Sequence, residues 1–369
     1  MKKTIVFILL MLVFSLPVRA EENTYYTQYQ NVGADELKES LSDNVKEFFR
    51  QNDIDPSGHN WVNNLTAKNV FKHIFSLFTG GIKTPLAAGA ALFGIILVTA
   101  ATTSFGMSER FEAAVYAAIL AVSAVIATDI WQSVSAAVGA VKSCSTFMLS
   151  FVPVFAATVA LSGGTITAAS TSGLLLGACE FVSYCASFAV LPLMGGYLAL
   201  SISSGVSPLI GQSGIVESVK KISMWILSLA STLFIGILGI QTAVNAAADS
   251  VTLRTAKFIL GTSVPVAGGV LSEAVSTIST SVGLLRSSIG IYGVVALAAI
   301  FLPVIAELLL WRVVLILCGG ASDMFSLPKI SGILKAVDAM LSVLAGIILL
   351  VAGMFIISLT VVVTMGKTQ

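Results

Sequence analysis

The chain has 369 residues, of which 56% are hydrophobic and 11% are charged, and its formal net charge is +1. Soluble domains carry about 25% charged residues, so this composition indicates an all-α, polytopic membrane protein. The near-zero net charge argues against nucleic acid as a partner. The four cysteines, at positions 144, 179, 185 and 318, form no Cys-x-x-Cys motif and are predicted to be small packing residues.

Residues 1–20 have the pattern of a secretory signal peptide. Two lysines precede an apolar run at 5–16, and Val18-Arg-Ala20 places small residues before Glu21. The alternative is an uncleaved first span, but the apolar run is short for a bilayer. We therefore predict cleavage after Ala20 and a mature amino terminus outside the cytoplasm.

Residues 21–80 are predicted to be a small extracytoplasmic helical segment. The polar, tyrosine-rich stretch 23–33 is expected to be loose. Apolar residues recur at helical spacing from Leu37 to Phe48, which predicts one amphipathic helix over 34–51.

A turn at 53–59 and a second helix with phenylalanines at 71, 75 and 78 are expected to follow. Two short helices can bury little core by themselves. This segment therefore packs on the membrane surface or the first span, or it docks to a partner protein. The sequence leaves these alternatives open.

Residues 85–364 are predicted to form the membrane domain. Six apolar runs are each near or above the roughly 20 residues that a spanning helix needs. They are 85–105, 113–131, 174–202, 223–244, 289–317 and 339–363. Two softer segments, 146–161 and 258–271, are either re-entrant or kinked segments or full spans. We favour six full spans plus these two segments, and the count becomes eight if both cross.

The membrane domain contains an internal repeat with a period near 111 residues. Phe151-Val-Pro153-Val matches Ser263-Val-Pro265-Val, and several shorter matches follow in the same order. We interpret 113–212 and 223–325 as two tandem copies of one unit. Repeats with broken helices are common in transporters, whose sites lie at the interface between repeats.

The lysines and arginines give only a weak orientation signal. With re-entrant soft segments, five basic residues fall on the cytoplasmic side and four fall outside. The cytoplasmic residues would be Arg110, Lys220, Lys221, Lys329 and Lys335, and the outer ones Lys142, Arg254, Lys257 and Arg286.

Ionisable residues inside spans are costly and are therefore candidates for function. Glu307 and Arg312 lie five residues apart on one predicted span and either pair with each other or reach another helix. They would couple helices or line a polar path; in the structural alternative Arg312 extends to an interface and Glu307 makes a structural bond. Glu180 and Glu273 are weaker candidates near predicted interfaces.

Prolines and paired glycines inside apolar runs are candidate helix-break residues, because proline lacks a backbone donor and clashes one turn back. Freed backbone groups must then lie within protein or line a wet cavity. These residues are Pro153, Pro192, Pro265, Gly268, Gly269 and Pro303.

The residues expected of common enzyme classes are missing. The histidines are His59 and His73, both outside the predicted spans, so a membrane metalloprotease or a histidine-dependent triad does not fit. No Gly-x-x-x-x-Gly-Lys-Ser/Thr loop occurs, and no carboxylate or Cys/His set has ligand spacing. We predict that the chain is not an enzyme and has no cofactor or metal.

The sequence resembles the stage III sporulation protein AE family of endospore-forming bacteria. The segments that carry the resemblance are Ala246-Ala-Ala-Asp249-Ser-Val-Thr-Leu-Arg254-Thr-Ala-Lys257-Phe, Val264-Pro-Val-Ala-Gly-Gly-Val-Leu-Ser-Glu-Ala, Gly290-Ile-Tyr-Gly293, Leu302-Pro-Val-Ile-Ala-Glu307 and Cys318-Gly-Gly320. The resemblance covers essentially the whole chain and is most specific in the second repeat.

This resemblance implies a multi-pass component of the channel complex that links mother cell and forespore, located in the mother-cell membrane. It implies as partners the other stage III sporulation A-operon proteins, including a secretion-type ATPase, and a forespore membrane protein across the intermembrane space. The family has no assigned catalytic residues. A stand-alone secondary transporter and a membrane scaffold that recruits partner proteins remain the alternatives.

Overall fold

The computed structural model describes most of the chain. The described residues are 22–57, 61, 83–104, 109–161, 165–185, 188, 191–206, 268–365 and scattered positions within 221–244. In these residues all regular structure is helical, which confirms the all-α class. The predicted signal peptide, the phenylalanine stripe at 71–78 and Pro265 lie outside the described residues.

In the described residues, three short helices between 22 and 51 precede the long apolar helices. The helices, in chain order, are α1 Glu22–Asn31, α2 Glu36–Glu39, α3 Asp43–Gln51, α4 Lys83–Ser104, α5 Glu109–Leu161, α6 Thr165–Cys185, α7 Leu191–Val206, α8 Gly268–Met324 and α9 Pro328–Met365.

Within the described residues, four helical stretches are long and apolar enough to cross a membrane. They are Lys83–Ser104, Ala113–Leu161, Val282–Met324 and Pro328–Ile356. They include the predicted spans at 113–131 and 289–317 and most of those at 85–105 and 339–363. The predicted total of six to eight spans is not confirmed: the run at 174–202 is described as α6 and α7, and the run at 223–244 only at isolated helical positions.

The first soft segment is the final part of a helix and not a separate re-entrant element. The 53-residue helix α5 continues through Pro153 to Leu161, and the 57-residue helix α8 continues through Pro303. Proline removes one backbone hydrogen bond, but here the adjacent Val152 and Val154 are buried. Packing of neighbouring side chains therefore maintains the helix where the sequence predicted a break. At 1.5 Å per residue each helix is roughly 80 Å long, well beyond the roughly 30 Å hydrocarbon core.

Helix α8 is the centre of the bundle. It packs along α9 and also contacts α5 and α4, while α7 packs on α9 and α5, and α6 packs on α5. A tight turn joins α8 to α9: Leu327 N donates to Ser322 O at 2.9 Å, and Ser326 has a φ of 56°. Pro328 then starts α9, a position at which its missing donor costs nothing.

Two glycines allow close contact between helices. A Cβ atom on Gly89 of α4 would lie 2.8 Å from Val314 of α8, and one on Gly293 of α8 would lie 2.5 Å from the ring of Phe151 of α5. Both distances are shorter than van der Waals contact. Small residues therefore set the approach of these helices, as is usual between membrane helices.

The amino-terminal segment differs from the prediction in two ways. Residues 22–31, expected to be loose, form α1, because Tyr25 and Tyr29 lie one turn apart on one face and are buried. The single helix expected over 34–51 is instead α2 and α3. Ser42 interrupts it with extended backbone, at φ −65° and ψ 153°, a conformation typical of a helix N-cap.

The described residues do not confirm the predicted internal repeat. The stretch 174–202 of the first copy is described as parts of α6 and α7, and 289–317 of the second lies within α8. Most of 223–267 in the second copy lies outside the described residues. The internal repeat stays a prediction from sequence.

Candidate functional site

Glu307 connects the two longest helices. Its side chain is half-buried on α8 and accepts a hydrogen bond from Ser133 Oγ of α5 at 2.5 Å. The same hydroxyl lies 3.2 Å from the backbone oxygen of Asp129, one turn earlier on α5. A carboxylate between apolar helices needs such a donor because burying it without one is costly. Glu307 therefore couples α8 to α5.

Arg312 pairs with a residue that the sequence did not single out. Arg312 Nε lies 2.9 Å from Asp338 Oδ1 of α9, with 30% and 21% of the two side chains exposed. The sequence left open whether Glu307 and Arg312 pair with each other or reach another helix. In the structure each of them reaches another helix. Asp338 could have been found, since it stands directly before the predicted span at 339–363.

A third polar contact joins the bundle close to this ion pair. The hydroxyl of Tyr197 on α7 donates to the backbone oxygen of Ala336 on α9 at 2.9 Å. Together with the two pairs just described, this contact forms the interhelical polar layer, which links α5, α7, α8 and α9. Its members are Ser133, Tyr197, Glu307, Arg312, Ala336 and Asp338.

The interhelical polar layer lies well away from the turn between α8 and α9. Arg312 precedes Met324 by twelve residues and Asp338 follows Pro328 by ten. At 1.5 Å per residue both therefore lie roughly 15–18 Å along their helices from that turn. Between apolar helices a polar contact is stronger than the same contact in water, because the local dielectric is lower.

The side chains of this layer can bind one another and orient the helices that carry them. A hydroxyl on a carboxylate and a guanidinium on a carboxylate can fix the relative position of helices or form part of a polar path. In the described part of the chain, no group of three or more His, Cys, Asp or Glu side chains is placed to hold a metal ion.

The other predicted site residues lie elsewhere. Glu180 is exposed on α6, outside the interhelical polar layer. Glu273 is a helical residue near the start of α8, ahead of the parts of that helix that meet α5 and α9 in this layer. Gly268 and Gly269 are the first two residues of α8, and Pro192 is the second residue of α7, a position that tolerates proline.

An aromatic cluster around the middle of α8 holds the amino-terminal segment. Tyr292 of α8 meets the ring of Phe49 edge-on at 4.9 Å, that of Trp61 at 6.3 Å and that of Phe147 of α5 at 6.5 Å. We call these four residues the aromatic junction. Such pairs are worth about 0.5–1.5 kcal/mol beyond their burial.

Polar bonds accompany the aromatic junction. Trp61 Nε1 donates to Ser288 Oγ at 3.2 Å, and the Tyr25 hydroxyl donates to the backbone oxygen of Pro56 at 2.9 Å. Burial is the main reason that the pKa of Tyr25 is raised to about 12. A hydrogen bond with Ser288 acts to lower this pKa, and the charge of Asp55 acts to raise it. The segment is thus docked on the long helices α8 and α5; packing on the membrane surface or the first span and docking to a partner stay predictions.

A salt bridge stabilises the fold of this segment itself. Lys38 Nζ lies 2.8 Å from Asp55 Oδ1. Burial acts to raise the pKa of the Asp55 carboxyl, but bonds from Lys38 and Ser57 outweigh it and hold this pKa below its usual value. The sequence did not indicate this ion pair, because Lys38 lies in α2 and Asp55 lies in the segment after α3.

These features define an all-helical protein with four candidate membrane spans among its described residues, a polar layer between helices and a docked amino-terminal segment. The chain belongs to the stage III sporulation protein AE family, whose model matches residues 47–366. It is 28% identical to the stage III sporulation protein AE of Bacillus subtilis (strain 168), over 94% of this chain and 84% of that protein. No solved structure matches it. The resemblance stated from the sequence is confirmed.

Proposed function

We propose that this protein is a non-enzymatic, multi-pass membrane subunit of a secretion-like channel that links mother cell and forespore. Membership of the sporulation family supports a role in sporulation, and the apolar helices support a location in the membrane. The observation that carries the proposal is the aromatic junction, which fastens a folded segment to the two longest helices.

The geometry supports a position of this segment outside the cytoplasm. Tyr292 precedes the turn residue Phe325 by 33 residues, which is roughly 50 Å of helix. A hydrocarbon core is only roughly 30 Å thick. With the turn on the cytoplasmic side, where Lys329 and Lys335 favour it, the aromatic junction lies toward the opposite membrane surface. The amino-terminal segment then projects into the space between the two membranes.

In this orientation the two ends of the molecule would meet different partner proteins. The docked segment offers a folded surface to the forespore membrane protein across the intermembrane space. The turn between α8 and α9 faces the mother-cell cytoplasm, where the secretion-type ATPase of the stage III A-operon proteins works. The lipid bilayer surrounds the exposed apolar side chains of α4 and α5, such as Val98 and Leu120.

The test compares variants of the docked segment in sporulating cells. Phe49→Ala removes the buried ring that meets Tyr292, whereas Tyr26→Ala removes a half-exposed ring on α1. We expect Phe49→Ala to reduce both co-purification with the other stage III A-operon proteins and late forespore gene expression, with little effect of Tyr26→Ala. Normal complex formation and sporulation with an undocked segment would contradict the proposal.

A stand-alone secondary transporter is the second candidate, and the contact between Ser133 and Glu307 favours it. Carboxylates within a membrane span are typical of ion and proton pathways, and Glu307 lies within the candidate span Val282–Met324. Proteoliposomes that contain this protein alone distinguish the two functions. Solute flux that is lost with Glu307→Gln and kept with Glu180→Gln would favour the transporter. No flux, together with co-purification of the ATPase-bearing complex, would favour the channel subunit; an assembled complex that conducts nothing would favour a scaffold.

A further inference from the structure

A small cavity opens beside the turn between α8 and α9, away from the interhelical polar layer. Its volume is about 190 Å³, and its walls come from α5 on one side and from the turn and the start of α9 on the other. Typical pockets for soluble small molecules measure roughly 300–1,000 Å³. The size of this cavity therefore suits one chemical group rather than a whole soluble substrate.

The lining of the cavity combines one cation with apolar surface. Val115 of α5 together with Leu327 and Ile330 provides the apolar part, and Lys329 and Tyr116 provide the polar part. Lys329 Nζ lies 3.2 Å from the Tyr116 hydroxyl and 4.4 Å from the centre of its ring. The ring stabilises the ammonium without neutralising it, so the positive charge stays available at the cavity.

The two lysines near this turn differ in their partners. Lys335 Nζ is paired with Asp323 Oδ2 at 2.6 Å. For Lys329, the contacts found among the described residues are those with Tyr116, and no carboxylate is among them. The cavity also lies at the amino-terminal end of the 38-residue helix α9, whose partial positive charge adds to that of Lys329. An anion at this position would meet two sources of positive potential.

We propose that this cavity binds the phosphate group of an anionic phospholipid. A basic pocket between membrane helices on the cytoplasmic side is the kind of place where such headgroups bind. Lys329 would meet the phosphate, the Tyr116 hydroxyl would donate a hydrogen bond to it, and one acyl chain would lie along Val115 and Ile330. The proposal depends on the membrane location of the helices and is independent of the channel role, because a transporter or a scaffold would bind the same lipid.

The test measures lipid binding to the purified full-length protein in detergent by native mass spectrometry. Phosphatidylglycerol and phosphatidylcholine are titrated separately, so that the two lipids differ in headgroup charge. One lysine at the membrane surface contributes enough for a preference of about fivefold for the anionic lipid. We expect this preference in the unaltered protein, and its loss in Lys329→Gln.

Two further variants and one competitor complete the experiment. Lys335→Gln removes an equal charge outside the cavity and should keep the preference, and Lys329→Arg keeps the charge and should also keep it. The proposal is overturned if the unaltered protein shows no preference, if Lys329→Gln keeps it, or if Lys329→Arg loses it. Displacement of the bound lipid by millimolar inorganic phosphate would also overturn it, since the site would then take a free anion.

Discussion

Gly293 provides a direct test of the packing between the two longest helices. It lies on α8 where the ring of Phe151 on α5 fills the space that a side chain would occupy. A Cβ atom there would lie 2.5 Å and 2.6 Å from two ring carbons of Phe151 and 3.2 Å from Leu359 Cδ1 of α9. The ring of Phe151 has little room to move, because it lies between Phe147 at 5.3 Å and Phe155 at 5.5 Å.

The effect of Gly293→Ala is the sum of two opposing contributions. Alanine in place of glycine within a helix stabilises by about 0.5–1 kcal/mol. Overpacking of a filled core destabilises by about 1–3 kcal/mol, and contacts on two sides favour the upper end of that range. We therefore expect a net loss of about 1–2 kcal/mol. Gly283→Ala on the same helix is the control, because nothing lies within 4 Å of its new Cβ atom, and it should gain about 0.5–1 kcal/mol.

The assay is thermal unfolding of the purified protein in detergent, followed by tryptophan fluorescence. With about 2–4 °C per kcal/mol for a chain of this order of size, Gly293→Ala should lower Tm by roughly 2–8 °C while Gly283→Ala raises it. In a Phe151→Ala background the Gly293→Ala change should become stabilising, since its obstacle is gone. Equal increases in Tm for both glycine variants would refute the close approach of α5 and α8.

Three further changes test other parts of the molecule. Arg312→Met leaves the half-buried Asp338 carboxylate without its cation and should cost about 1–3 kcal/mol, with most of the loss in Tm recovered in Arg312→Met/Asp338→Leu; no recovery would contradict the pairing. Phe49→Ala should cost about 3–5 kcal/mol of docking and expose residues 22–57 to limited proteolysis, whereas Tyr26→Ala should not; equal cleavage of both would count against the aromatic junction. Because the pKa of Tyr25 is raised to about 12 from its ordinary 10.0, the stability that its neutral form contributes is present below pH 10 and is lost between pH 10 and about 12. The proteolytic release of the segment should therefore occur in this window, and Tyr25→Phe should move its midpoint to higher pH; an unchanged midpoint would exclude Tyr25 as its cause.

Much of the fold was predictable from composition and pattern. A helix across a membrane must be apolar for about 20 residues, and this requirement is local, so the span at 85–105 could be placed closely. Helix breaks were harder to predict, because proline and glycine only weaken a helix locally and packing against neighbours decides the outcome. Pro153 and Pro303 lie within continuous helices for this reason, and Ser42 interrupts a stretch that periodicity had joined.

The candidate site was predictable in part. Glu307 and Arg312 stood out because charge is rare in an apolar run, and both take part in contacts between helices. Their partners Ser133 and Asp338 did not stand out. A serine in a helix is ordinary, and an aspartate at the edge of an apolar run is typical of a boundary.

By itself the sequence determined the membrane character, the all-α class and the family of this protein, because apolar run length, charge content and family motifs are properties of the linear chain. Only the tertiary structure decided which residues meet. The contact of Trp61 with Ser288 joins positions 227 apart, and that of Ser133 with Glu307 joins positions 174 apart. Such pairs depend on how whole helices pack, and packing results from the combined shape of many side chains rather than from any local pattern.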